Sequence, residues 1–150
     1  MPVLYFAYGS NMCSAQMQER CPGAKALGYA RLVDYRLAFD KWSERRGGYV
    51  ADVLPQPGEA VWGVLWQVTQ AHTDTLDNHE GVARGQYRRQ QVILENKVGG
   101  RLSKAYAYVI CEPSEEGPTT HAYRKLLLAG SQEHGVPQRY LDALEALTVA

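Results

Sequence analysis

The stretch Tyr5-Phe6-Ala7-Tyr8-Gly9-Ser10-Asn11 constrains this chain more than any other. With Val3 and Leu4 ahead of it, it opens as a short apolar, aromatic-rich run, the profile of a buried strand. The run stops abruptly at Gly9-Ser10-Asn11. Glycine permits backbone angles that a Cβ forbids, and Ser and Asn favour turns because their side chains bond nearby backbone. A strand ending in such a turn leaves several N–H groups pointing outward together, a nest suited to a carboxylate or phosphate. An ordinary tight turn after a buried strand has the same local chemistry, so the residues alone leave both readings open.

The rest of the chain supplies elements that can close around this strand. Ser14 to Arg20 reads as a short helix capped by Ser14 and ended by Cys21-Pro22-Gly23. From Ala30 to Asp40 the pattern alternates, with Val33, Tyr35, Leu37 and Phe39 on one face and Asp34, Arg36 and Asp40 on the other. Lys41 to Gly48 reads as a polar, charged loop, either a flap or a plain connection. Tyr49 to Leu54 is a strand stopped by Pro55-Gln56-Pro57-Gly58, and Ala60 to Val68 is another, with Trp62, Val64, Trp66 and Val68 on one face and Gly63 on the other. Two tryptophans on one face fit a carbohydrate or base platform, or a core, which is where large aromatics mostly go.

Thr69 is placed to cap a helix from Gln70 to His79, with Gly81 past its end. Tyr87 to Glu95 and Leu102 to Ile110 read as a hairpin joined by Asn96-Lys97-Val98-Gly99-Gly100, with Leu102, Tyr106, Tyr108 and Ile110 on one face. A helix from Thr119 or Thr120 to Glu133 follows, and Pro137 starts a last one carrying Leu141, Leu144 and Leu147. Strands dominate the first two-thirds and helices the end. The expected fold class is α+β, a bent mixed β-sheet or barrel core, with residues 1–150 as one domain.

Composition narrows the function. Sixteen basic residues balance sixteen acidic ones, which argues against a general nucleic-acid or anionic-membrane binder. No apolar run approaches the roughly 20 residues that span a bilayer, and no signal-peptide pattern opens the sequence. Cys13, Cys21 and Cys111 are odd in number and form no C-x-x-C pair, as expected of reduced thiols and a cytoplasmic location.

Among groups able to do chemistry, Glu80 stands out. It falls at the end of a predicted helix, where the dipole disfavours a negative charge. A carboxylate set against local preference is a candidate for function, although a surface glutamate has the same appearance in sequence. Asp77 lies one helical turn before it, but one turn is a poor way to flank a glycosidic bond. His72, His79, His121 and His134 lack metal-ligand spacing, and Ser10 lacks the glycines of a hydrolase elbow.

The opening Tyr-Phe-Ala-Tyr-Gly-Ser-Asn and the downstream segment Leu76-Asp77-Asn78-His79-Glu80-Gly81-Val82-Ala83-Arg84-Gly85-Gln86-Tyr87 together resemble the γ-glutamylcyclotransferase family. Gly47-Gly48, Val61 to Trp66, Tyr123-Arg124-Lys125 and Gly135-Val136-Pro137 extend the likeness, in order, over nearly the whole chain. The resemblance implies a compact barrel-like core with peripheral helices, no cofactor and no metal. It matches Glu80 to the family's catalytic base, and Tyr5, Phe6, Ala7, Tyr8, Gly9, Ser10 and Asn11 to its substrate-binding segment. Tyr123 matches a family tyrosine, and Tyr87 is a weaker candidate.

The implied reaction is intramolecular aminolysis of a small γ-glutamyl compound to 5-oxoproline and a released amino acid or amine. Siblings acting on γ-glutamylamines, or removing a γ-glutamyl group in secondary metabolism, keep the same residues. A non-catalytic binding protein of the same fold is a further reading, which Glu80 disfavours. Many members of the family pair as homodimers, though no stripe in this sequence marks an interface. His79 departs from the family pattern; a charged imidazole there lowers the pKa of Glu80.

Overall fold

A computed structural model describes residues 2–96 and 102–150. The chain runs β1 (Val3–Ala7), a 3-10 turn (Ser10–Met12), α1 (Ser14–Arg20), β2 (Lys25–Ser43), β3 (Gly48–Val68) and α2 (Gln70–Glu80). A second 3-10 turn (Val82–Arg84), β4 (Tyr87–Asn96), β5 (Leu102–Ile110), α3 (His121–Glu133) and α4 (Gln138–Glu145) follow. The strands close into a barrel in the order β1-β3-β2-β4-β5. Its seam is parallel, with Tyr5 opposite Tyr106 on β5, and the other pairings are antiparallel. This is the expected mixed barrel with helices. Among the described residues no helix is long and apolar enough to cross a membrane.

The largest departure from expectation is the ribbon of β2 and β3, 19 and 21 residues long. Pro55-Gln56-Pro57-Gly58 does not stop the strand. Tyr35 faces Pro55 and Val33 faces Ala60, so the ribbon absorbs the extra β3 residues as a bulge. Asp34 takes a left-handed φ of 65° there and accepts from the Gly58 N–H at 3.0 Å. The expected loop 41–48 shrinks to a turn at 44–47 at the far end of this ribbon, with Trp42 paired to Tyr49 and Ser43 to Gly48 on either side of it.

Bulges also overturn the expected facing of β2. Leu32, Ala38 and Asp40 are buried, whereas Val33 is exposed. Register shifts after Val33 and Ala38 re-aim the side chains, and a strict period of two does not survive a bulge. On β5, Ala105 and Ala107 are buried along with Tyr108 and Ile110, and Leu102 is exposed. The expected connection through 97–100 lies outside the described residues.

Local signals fared better at helix ends. Thr69 caps α2 through a capping box with His72, and Gly81 closes it in a left-handed conformation (φ 67°). Thr120 caps α3 by accepting from the Tyr123 N–H. Ser14 is not a cap: Cys13 occupies that position, and the Ser14 hydroxyl meets His134 Nε2 at 3.1 Å. Trp66 is core rather than a platform. It is 1% exposed, and its indole N–H donates to the Asn11 carbonyl at 3.1 Å, tying the turn after β1 to β3. α3 packs on the same turn so closely that a Cβ on Gly130 would lie 2.4 Å from the Met12 carbonyl carbon. The turn is thus clamped from both sides, by the buried indole of Trp66 and by the close approach of α3 at Gly130.

Candidate active site

The end of β1, the tip of the β2–β3 ribbon, the end of α2 and one residue of α3 enclose a cavity of about 550 Å³. Tyr5, Phe6, Tyr8, Gly9, Ser10, Asn11, Glu80, Tyr87 and Tyr123 all line it. Ala7 does not; it is buried in the ladder opposite Val64. Residues up to 118 positions apart in sequence, Tyr5 and Tyr123, therefore share one chamber.

The turn after β1 is closed by Met12 N–H to the Gly9 carbonyl and Cys13 N–H to the Ser10 carbonyl, both at 3.1 Å. The first N–H groups of such a turn have no acceptor within it, so those of Gly9, Ser10 and Asn11 are the ones a nest would offer. Gly9 has a φ of −109°, which is not left-handed, but its ψ of −140° lies outside the β and α regions open to other residues. It is needed for space: a Cβ would stand 2.9 Å from the Tyr123 hydroxyl oxygen. Asn11 is 3% exposed and is consumed by side-chain bonds rather than by the turn. Its Nδ2 donates to the Tyr5 hydroxyl at 3.0 Å, and its Oδ1 accepts from Gln16 at 3.0 Å and from Arg20 at 3.1 Å.

Two tyrosines meet at one residue, on the two peptide groups that flank it. The Ala51 N–H donates to the Tyr123 hydroxyl at 3.2 Å, and the Tyr87 hydroxyl donates to the Ala51 carbonyl at 3.1 Å. Tyr123 thereby keeps its own proton available for a second partner. Burial pushes its pKa up to about 12, so that proton stays in place at neutral pH. Tyr8 is anchored through its hydroxyl to the Tyr108 carbonyl.

Glu80 is the last residue of α2, and the left-handed Gly81 turns the chain away directly behind it. Its carboxyl keeps only partial access to solvent. Burial raises its pKa to about 7, against the opposing pull of Arg20, Arg46 and Arg45. The three guanidinium groups take the part that the sequence reading assigned to His79. The residue is largely exposed, and partial desolvation of its ring, then Arg20 and Arg45, lowers its own pKa, which favours the neutral form. Asp77 is not a second catalytic carboxylate. Arg89 holds it through both oxygens, and the Tyr108 hydroxyl donates to it at 2.6 Å.

The arginines were missed by sequence reading. Arg46 hangs from the ribbon tip, donates to Ser10 Oγ and to Gln16 Oε1 at 3.2 Å each, and lies over the Tyr123 ring at 5.0 Å. Arg45, Lys41 and Arg84 line the same chamber. The available signal was the doublet Arg45-Arg46 beside Gly47-Gly48, but without the ribbon's path it is indistinguishable from a solvated charge cluster.

A protein-family model described as the AIG2-like family matches residues 60–144. A gamma-glutamylcyclotransferase of Mus musculus is 37% identical over 151 residues, covering 96% of this chain and 78% of the relative. Its Homo sapiens counterpart is 34% identical over the same coverage. A solved gamma-glutamyl cyclotransferase superimposes with a TM-score of 0.95 at 31% identity, covering 100% of this chain and 90% of its own. Barrel, chamber and sequence agree, and the chain belongs to the AIG2-like family of γ-glutamylcyclotransferase enzymes.

Proposed function

We propose that this enzyme converts a γ-glutamyl amino acid into 5-oxoproline and a free amino acid, with Glu80 as the proton-transferring group. The observation that carries the reading is a carboxyl with a pKa of about 7 in the same cavity as the turn at Gly9–Asn11. The turn's N–H groups would hold the α-carboxylate of the γ-glutamyl unit. The neighbouring α-ammonium group must lose a proton before it can attack. A base whose pKa lies near the working pH combines a useful ionised fraction with a real pull on that proton.

The α-nitrogen then adds to the γ-carbonyl carbon, forming the ring C–N bond. Collapse of the tetrahedral intermediate breaks the bond to the leaving nitrogen, which takes the proton from Glu80, and the ring nitrogen gives up its second proton to the carboxylate so restored, from which it passes to the released amine. Tyr123, with its hydroxyl proton uncommitted to Ala51, donates to the substrate on the opposite wall. The nucleophile is already tethered to its target, so holding the cyclising conformer is worth up to roughly 7–11 kcal/mol.

The test is 5-oxoproline release from a panel of γ-glutamyl amino acids, γ-glutamylamines and glutathione, with wild type beside Glu80→Gln. Release that vanishes in the variant supports the reading. Release that persists in it removes Glu80 from the reaction, and silence across the panel removes the reaction.

A further inference from the structure

The chamber holds more positive charge than a γ-glutamyl derivative of a neutral amino acid requires. Arg20, Lys41, Arg45, Arg46 and Arg84 line it, against the carboxylates of Glu44 and Glu80 alone. Among the described residues the ion pairs are Arg31–Glu95, Arg36–Glu116 and Arg89–Asp77, and none involves the chamber's cations. Arg46 and Arg20 are instead held by neutral oxygens of Ser10, Gln16 and Asn11. A side chain held that way is positioned without being neutralised. Burial first, and then the nearby charges of Arg45 and Arg20, lower the Arg46 pKa against the opposing effect of Tyr123 and Glu80.

A second cavity, about 630 Å³, adjoins the first and shares with it Arg20, Arg45, Arg46, His79 and Tyr123. Glu19 is the one carboxylate of its lining. The guanidinium groups therefore form a partition between two chambers, at the ribbon tip and away from the core.

We infer that Arg45 and Arg46 form a leaving-group subsite that selects γ-glutamyl derivatives of acidic amino acids. This rests on the proposed reaction and adds its substrate class. With the γ-glutamyl α-carboxylate on the Gly9–Asn11 turn, a neutral leaving amino acid brings one carboxylate to the arginines. An acidic one brings two, which fit two guanidinium groups on one partition and extend toward the second cavity. Charge-assisted bonds are the stronger kind, and two guanidinium groups side by side favour a second carboxylate over a neutral amide. The same field opposes leaving groups with a cationic side chain.

The experiment compares kcat/KM for γ-glutamyl-glutamate and its neutral isostere γ-glutamyl-glutamine, in wild type, Arg45→Gln and Arg46→Gln. Wild type is expected to favour the acidic compound by about tenfold, the effect of one charge-assisted bond. Each substitution should bring the ratio toward one, and so should added salt, because the subsite is open to solvent screening. Arg45 is exposed, so its replacement carries little risk to folding. Equal turnover of the two compounds by wild type, or a preference that survives both substitutions, overturns the subsite while leaving the cyclotransferase reading intact. Absence of 5-oxoproline from both compounds overturns that reading and the subsite with it.

Discussion

Two places in this barrel bury carboxyl groups and raise their pKa, and they do so in different company. Glu80 stands at the edge of a cavity with Arg20, Arg45 and Arg46 close enough to oppose the effect of burial. Asp40 and Asp52 lie inside the β2–β3 ribbon, each 1% exposed. Burial is the first cause of the rise in both, and for Asp40 the next is Asp52 itself. Asp52 accepts from the Ile110 N–H at 3.1 Å, whereas neither Asp40 side-chain oxygen meets an N–H or O–H donor from elsewhere. One proton held between the two carboxyls satisfies both, since buried like charges side by side cannot both ionise.

Burial alone does not mark a carboxyl as a candidate for catalysis. Glu80 combines a raised pKa with access to a cavity and a turn able to hold an anion. The aspartate pair has the raised pKa and no access. Its place is behind the wall: Asp52 follows Ala51, whose N–H donates to Tyr123 and whose carbonyl accepts from Tyr87.

The comparison breaks most sharply at Glu80. Glu80→Gln keeps the shape and removes the base, so kcat should fall by about 10²- to 10⁴-fold, while calorimetry finds 5-oxoproline binding retained. An unchanged kcat would put Glu80 in the same class as the aspartates. Next in size is the opposite wall. In Gly9→Val the new side chain meets the Tyr123 hydroxyl, and affinity for 5-oxoproline should drop by about tenfold or more, by analogy with overpacking costs. Unaltered affinity would remove the turn from the site.

Stability sharpens the contrast from the other side. Asp40 has a folded-state pKa above its unfolded value, so its contribution is fully present at low pH and is lost as pH rises through the raised value. Asp40→Asn can donate to Asp52 in place of the shared proton. Its urea midpoint should decline less than that of wild type between pH 5 and pH 9, a difference on the order of 1–3 kcal/mol at the alkaline end. Turnover at pH 7 should persist, as the pair does not touch the cavity. Parallel pH profiles of stability for wild type and variant would refute the shared proton.

The smallest effect concerns the arginines that separate the two environments. As a base, Glu80 must be ionised, so kcat/KM should rise with pH through about 7. Arg46 opposes that pKa, and Arg46→Gln should move the rise to higher pH by up to about one unit. A shift to lower pH, or none, would mean that burial alone sets the Glu80 pKa.

Much of the site was legible in the chain because its parts carry strong local signals. Tyr5 to Asn11 announces a buried strand and a turn; Thr69 and Gly81 bracket the helix that ends at Glu80. Those signals act over a few residues and survive in any tertiary setting. The continuous path of β3 through Pro55 and Pro57 was hidden, because proline excludes a central ladder position and not a bulge. The burial of Asp40 was hidden for the same reason: a bulge changed which face it occupied.

Sequence alone determined the elements, their caps and the chemistry available at Glu80 and the β1 turn, since these follow from periodicity and side-chain type within short windows. Tertiary structure decided which of those groups meet. Only barrel closure brings Arg46 at the ribbon tip over Ser10 and Tyr123, and sets Ala51 between Tyr87 and Tyr123. The physical reason is that the length, bulges and pairing of β2 and β3 aim their far end, and these depend on partners tens of residues away rather than on the residues at the tip.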